Sequence, residues 1–178
     1  MHGVIFTSFR DYATAELRPG VAKTLFDGEP VYLLSEAYPD ERLVSLLERA
    51  AELTGIEPEQ LLYDFGVFTV EKTFARLYPA FFAISRSARE FMLTVETRIH
   101  ELVRATIPNA RPPQLTVTES GDDSVAILYS SPRRLCILLR GLAEGTARHY
   151  GETSEIAEAT CMLRGDEACT FDVRFTLA

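Results

Sequence analysis

The stretch Leu128-Tyr-Ser-Ser-Pro-Arg-Arg-Leu135 stands where two periodicities meet. Before it, Ser124-Val-Ala-Ile-Leu-Tyr-Ser130 reads as a β-strand. After it, Leu135, Leu138, Leu139, Leu142 and Ala143 recur with helical spacing, and Gly151 follows the last of the pattern. Ser131 has the chemistry of an N-cap and Pro132 suits a first helical position, which predicts a helix over 132–149. That explains the serine and the proline but not the two-residue spacing of Tyr129, Ser131 and Arg133. On extended backbone these three share one face, placing two hydroxyls beside a guanidinium fork. Such a set suits a carboxylate. The plain alternative is a capping serine, a solvated arginine and a packed tyrosine, and spacing alone leaves both open.

Upstream of the strand, Leu115-Thr-Val-Thr-Glu119 and the turn Gly121-Asp-Asp123 complete a hairpin. Downstream, residues 155–163 and 168–177 flank Arg164-Gly-Asp-Glu167 and predict a second one, so Arg164-Gly-Asp166 reads as a turn rather than an adhesion motif. The first 107 residues read as helical. Leu43, Leu46, Leu47, Ala50 and Leu53 form a helical stripe over 41–54 that Gly55 ends, and Pro58 opens the next helix. Residues 70–83 are apolar and aromatic. Residues 87–106 read as one long helix with Phe91, Met92, Val95, Ile99, Leu102 and Val103 inward, stopped at Pro108. The fold class is α+β: a helical N-terminal part (1–107), then an antiparallel sheet of about four strands with a crossing helix (108–178), read as a single domain over 1–178.

The chain has 178 residues, is 47% hydrophobic and carries a net charge of −8. An acidic chain without a basic stripe argues against nucleic acid as partner. Arg98, Arg104 and Arg111, and Arg133, Arg134 and Arg140, suit one small anionic ligand instead. No apolar run is long enough to span a membrane and the start does not read as a secretory signal, so a cytoplasmic location is expected. There the three cysteines are thiols or metal ligands rather than disulfides. No hydrolytic triad and no phosphate-binding glycine motif is present. Of the three histidines, His2 is terminal and uninformative, His149 sits at a helix end, and His100 taken alone is more often a surface or half-buried histidine than a ligand.

Tyr129-x-Ser131-x-Arg133, with an upstream histidine in Arg98-Ile-His-Glu-Leu-Val103, resembles the H-NOX (haem nitric oxide/oxygen binding) family. Pro108-Asn-Ala-Arg-Pro-Pro113, the Met1-His-Gly-Val-Ile-Phe6 start, the Gly66…Glu71-Lys-Thr-Phe74…Tyr78-Pro-x-Phe-Phe82 block and Arg140-Gly-Leu-Ala-Glu-Gly145 extend the likeness over essentially the whole chain. The resemblance implies haem b as cofactor. His100 would be the proximal iron ligand, Tyr129, Ser131 and Arg133 would hold the propionates, and Pro113 would press on the macrocycle. Ile5, Phe74, Leu138 and Leu142 are the expected distal residues. The family's O₂ binders use a distal tyrosine, and the matching position here is Leu138. An apolar pocket that holds NO and CO but not O₂ is therefore expected, unless Tyr78 reaches in. The chain would be a sensor, not an enzyme, and would pass its signal to a separate protein such as a histidine kinase or a cyclic-dinucleotide enzyme. A haem-free reading stays open, because the C-terminal part also resembles V4R domains, which bind small hydrophobic molecules or partners.

Cys161 and Cys169 flank the second turn and Cys136 begins the crossing helix, so three thiols can converge on a Zn²⁺. Some H-NOX members carry a structural zinc here on a His-x-x-Cys-x₇-Cys stretch. Glu158 stands where that pattern has histidine, so the fourth ligand is Glu158, water or His149. In a regular strand Glu158 would face away from Cys161, and a bulge would be required.

Overall fold

The computed structural model describes all 178 residues. Helix α1 (Gly3–Ala15) starts where the His2 side chain accepts the Val4 N–H at 3.0 Å. Helices α2 (Val21–Leu25), α3 (Asp40–Thr54) and α4 (Pro58–Phe68) follow. In α3, Leu43, Leu46, Leu47 and Ala50 are buried, while Leu53 is partly exposed at the edge of the stripe. Gly55 ends it with φ +72°, the left-handed conformation that glycine adopts at no steric cost.

The aromatic block is not one helix. A π-helical turn, Thr69–Phe74, continues α4 and leads into α5 (Ala75–Leu77). Tyr78 then leaves the helical region at φ −127°, as crowding by the next proline demands, and α6 (Pro79–Ala83) starts afresh.

The long helix expected over 87–106 is also divided. Ser87 caps α7 (Ala88–Met92) by accepting the Glu90 N–H. The chain turns at Leu93-Thr94, where the Thr94 hydroxyl bonds to Phe91 O, and resumes as a π-helical turn, Val95–His100, and then α8 (Glu101–Thr106). The i→i+5 bonding of a π-turn brings His100 over Val95, a juxtaposition that a straight α-helix would not give. Phe91 and Met92 are buried, Val95, Ile99 and Val103 half-buried, and Leu102 is largely exposed.

Strands β1 (Gln114–Glu119), β2 (Ser124–Ser130), β3 (Glu152–Thr160) and β4 (Cys169–Leu177) form one antiparallel sheet in the order β1-β2-β4-β3. This is the α+β architecture expected, with both hairpins in place. Val125, Ile127 and Tyr129 alternate inward on β2, and Cys169, Phe171, Val173 and Phe175 do so on β4.

Helix α9 (Cys136–His149) crosses the sheet and joins the two apolar clusters, Leu138 packing into the helical one and Leu139 into the one on the sheet. It meets α4 backbone to backbone. A Cβ on Gly141 would lie 2.1 Å from Tyr63 O, and one on Gly66 would lie 2.8 Å from Leu138 O. Only glycine permits that approach.

α9 begins four residues later than the sequence suggested. Ser131 does not cap it: its Oγ accepts the Arg133 N–H at 3.3 Å inside a tight turn, and Arg134 takes a left-handed φ of +51°. No side chain caps α9; the Leu135 N–H, just ahead of the helix, donates to the Tyr129 hydroxyl at 3.1 Å. The turn therefore presents Arg133, and strand alternation stops at Ser130.

Candidate ligand cavity and thiol cluster

Between the helical part and the sheet lies a mostly apolar cavity of about 330 Å³. Its walls come from α1 (Val4, Ile5), the first π-turn (Val70, Phe74), the second (Val95, Ile99, His100), the 107–113 connector, the end of β2 and α9 (Leu138, Leu139, Leu142). His100, Tyr129, Ser131, Arg133, Pro113, Ile5, Phe74, Leu138 and Leu142 all line it, so the structure brings together the nine residues named for the cavity from the sequence.

His100 has an ordered environment. Its Nδ1 lies 2.8 Å from Glu96 Oε2, one helical turn back, and Arg104 bonds the other carboxylate oxygen. A carboxylate partner places the ring proton on Nδ1 and leaves Nε2 with a lone pair and no partner in the protein. Burial pulls the His100 pKa below its usual value, against the upward pull of Glu96. Sequence reading missed Glu96, although its i,i+4 spacing from His100 on a helix was a usable signal.

Tyr129 faces inward between Leu115 on β1 and Cys169 on β4, and burial raises its pKa. Arg133 donates from Nη1 to Arg111 O. Its Nε lies 2.7 Å from Asp40 Oδ2, yet the N–H is not directed at that oxygen and stays unsatisfied although buried. An orphaned guanidinium N–H is costly, and an anionic group entering the cavity would satisfy it. Of the other arginines, Arg104 is held by Glu96 and Arg111 lines the cavity, whereas Arg98 and Arg134 point to solvent and Arg140 is not part of the cavity wall.

Leu138 offers no donor. Tyr78 does line the cavity, its ring 6.2 Å from that of Phe74, and its hydroxyl makes no hydrogen bond within the protein. His2, which the sequence left without a role, lines the cavity as well.

The arrangement fits a flat, largely apolar group that carries an electron-pair acceptor for His100 Nε2 and carboxylates for the Arg133 end. Sequence comparison gives the same answer. A family model described as haem-NO-binding matches residues 2–158. The chain belongs to the haem-NO-binding family. Among solved structures, the H-NOX protein from S. oneidensis in the Fe(II)NO ligation state is 23% identical with a TM-score of 0.90, over 99% of each chain. The same organism's H-NOX domain in the Fe(II)CO state is 24% identical, with a TM-score of 0.88 over 99% of each chain. The Fe(II) unliganded H-NOX protein from K. algicida is 22% identical with a TM-score of 0.85, over 100% of this chain and 98% of that one. At these identities the likeness shows the fold. Among curated proteins, no match is found. The haem-NO-binding fold is that of a haem-binding gas sensor, and no helix of this member is long and apolar enough to cross a membrane.

Cys136, Cys161, Cys169 and Glu158 form a second cluster, their ligand atoms all within 4.8 Å of one another. The pairing register shifts between Glu158 and Thr160, which is the bulge needed to turn Glu158 toward the thiols. Cys136 Sγ and Cys161 Sγ are 3.7 Å apart, close to the roughly 3.8 Å that a tetrahedral zinc with Zn–S bonds of about 2.3 Å imposes. The Met162 N–H donates to Cys169 Sγ at 3.1 Å, a contact that favours a thiolate. Burial and then the neighbouring thiols raise the Cys136 pKa. Glu158 also accepts from Arg164 at 3.0 Å. His149 cannot join this cluster: it ends the helix that Cys136 begins, roughly 20 Å away at 1.5 Å per residue, and packs on Phe82 with ring centroids 4.6 Å apart.

Proposed function

We propose that this chain is a single domain over residues 1–178, with a helical part (1–107) and a sheet-containing part (108–178). It binds haem b, senses NO and CO without holding a stable O₂ complex, and signals to a separate protein. The observation that carries this reading is the partnerless Nε2 of His100 on an apolar cavity whose other end bears Tyr129, Ser131 and the unsatisfied Nε–H of Arg133. Haem supplies the ferrous iron that takes up the gas. His100 gives that iron its lone pair, and Glu96 keeps the ring proton on Nδ1. Tyr129, Ser131 and Arg133 hold the carboxylates, and Pro113 bears on the ring. Ile5, Phe74, Leu138 and Leu142 keep the gas side dry and, at Leu138, without a donor. A polarised O₂ complex needs a donor there, whereas NO and CO need it far less.

The signal passes through the His100 segment to a trans-acting partner such as a histidine kinase or a cyclic-dinucleotide enzyme, in the cytoplasm. Zn²⁺ on Cys136, Cys161, Cys169 and Glu158 ties α9 to the second hairpin in a structural role. Metal analysis of protein purified without chelator is expected to give one zinc per chain, lost in Cys161→Ser; a metal-free native protein that remains folded overturns the zinc assignment.

The test is the absorption spectrum of reduced, haem-reconstituted protein under nitrogen, air and NO. A Soret band unchanged in air and shifted by NO supports the proposal. A stable oxy spectrum overturns the gas selectivity, and no Soret band at all favours the haem-free module. His100→Gly should lose haem and regain it with free imidazole.

A further inference from the structure

His2 lines the same cavity as His100 and has no part in the function proposed above. Its Nδ1 accepts the Val4 N–H at 3.0 Å and so caps α1. A ring nitrogen that accepts a hydrogen bond carries no proton, so the neutral ring bears its proton on Nε2. Burial, and then the positive nitrogen of Met1, hold the His2 pKa below its usual value, which keeps the ring neutral at pH 7. The resulting Nε2–H finds no acceptor in the protein.

The cap also decides what this nitrogen can do. Ligation of iron through Nε2 would require the proton to move to Nδ1, and the Val4 N–H in the first turn of α1 would lose its acceptor. His2 is therefore a donor of fixed tautomer. Its place in the cavity names the acceptor. The Met1 nitrogen lies 2.6 Å from Asp40 Oδ1, and the other oxygen of Asp40 lies 2.7 Å from Arg133 Nε. Met1 and Asp40 thus link His2 to the arginine end of the cavity, where anionic groups are expected.

We propose that His2 is a fourth positioning residue at the carboxylate end, its Nε2–H donating to a carboxylate of the bound porphyrin alongside Tyr129, Ser131 and Arg133. The inference rests on the haem reading. A neutral donor on an ionised acceptor is a charge-assisted bond, which sets its size.

Two variants and two ligands test it. His2→Asn keeps an oxygen to cap α1 while withdrawing the Nε2–H. Loss of haem to excess apomyoglobin should be about tenfold faster from His2→Asn than from the unsubstituted protein, the size expected of one such bond. With the dimethyl ester of haem, which lacks the ionised carboxylates, the two proteins should lose the ligand at equal rates. His2→Ala, which also removes the cap, should show the same haem loss as His2→Asn together with a lower apoprotein melting temperature. The apoprotein alone gives an independent reading: two-bond ¹⁵N–¹H correlations should show His2 with its proton on Nε2. Equal haem-loss rates, a difference that persists with the ester, or a proton on Nδ1 overturn the proposal while leaving the haem reading intact. Failure of the unsubstituted protein to develop a Soret band overturns both.

Discussion

Two π-helical turns line the cavity, and they are built differently. Thr69–Phe74 is embedded: Thr69, Val70 and Thr73 are buried, and Ser8 of α1 binds both threonine hydroxyls at 2.9 Å. Val95–His100 contains no buried residue, and neither does α8 after it. It is tied by Glu96, which spans His100 and Arg104 near solvent. One turn belongs to a block formed by α1, α4 and α9. The other rests against the cavity on one side and water on the other. Local opening costs least where few apolar groups are buried. In the function proposed above, the ligand would register against the fixed wall and the yielding one would carry the signal. His100 is on the yielding one.

The largest effect should come from breaking the fixed wall. Gly141→Ala would drive a Cβ into Tyr63 O at 2.1 Å, so α9 must move off α4. Overpacking of this kind costs about 3 kcal/mol, and urea unfolding should show it as a large fall in midpoint. A midpoint within error of the unsubstituted protein would mean that the seam is not tight. Next is Ser8→Ala, which leaves the hydroxyls of Thr69 and Thr73 in a dry interface without their shared partner. A loss of about 2 kcal/mol is expected. Restoring apolar character at all three positions should recover most of it, since no polar group is then left unpaired.

The yielding wall should respond in the opposite way. Glu96→Ala removes an ion pair that is open to solvent, so stability should change by less than about 1 kcal/mol. His100 would nevertheless lose the carboxylate that fixes its tautomer. The expected signature is near-native unfolding combined with faster haem loss. Hydrogen exchange on the unsubstituted protein offers a direct comparison, with amides of 95–106 exchanging well before those of 69–74. Equal protection of the two segments would remove the distinction between the walls.

Much of this was legible from residues, but not evenly. The two hairpins and the thiol cluster follow from period-two alternation and cysteine spacing, which are local signals, whereas Glu158 and the bulge it needs came from the family resemblance. The Tyr129, Ser131 and Arg133 set was legible as a pattern but not as a conformation. Its serine has the chemistry of an N-cap, yet α9 starts with no side-chain cap and the Tyr129 hydroxyl instead holds the Leu135 N–H just ahead of it; a contact between a strand and a following turn leaves no periodic mark. The π-turns escaped for a related reason. One residue added to a helix turns its apolar stripe by about 100°, but α7 and α8 are each too short to establish a phase of their own, so 87–106 reads as one helix. Glu96 had a signal in its spacing from His100. His2 had none, because a single polar residue ahead of a helix carries no pattern until the helix is packed against a cavity.

The smallest effect is expected at Tyr78, and it bears on gas selectivity. Leu138 and Tyr78 both line the cavity, but only Tyr78 has a hydroxyl, and that hydroxyl has no protein partner. If selectivity against O₂ came from a shortage of hydroxyls in the cavity, Tyr78 would already defeat it. What matters is where the donor stands. Tyr78 lies just after α5, beside Phe74, on a segment that breaks before Pro79, whereas position 138 lies in the first turn of α9. Leu138→Tyr should therefore lengthen the life of an oxy complex measurably, and Tyr78→Phe should leave the spectra in air and under NO unchanged, apart from the slight change in polarity beside Phe74. If Tyr78→Phe instead abolished an oxy complex seen in the unsubstituted protein, the donor would sit on the break before Pro79, and gas selectivity would have to be assigned to that segment rather than to α9.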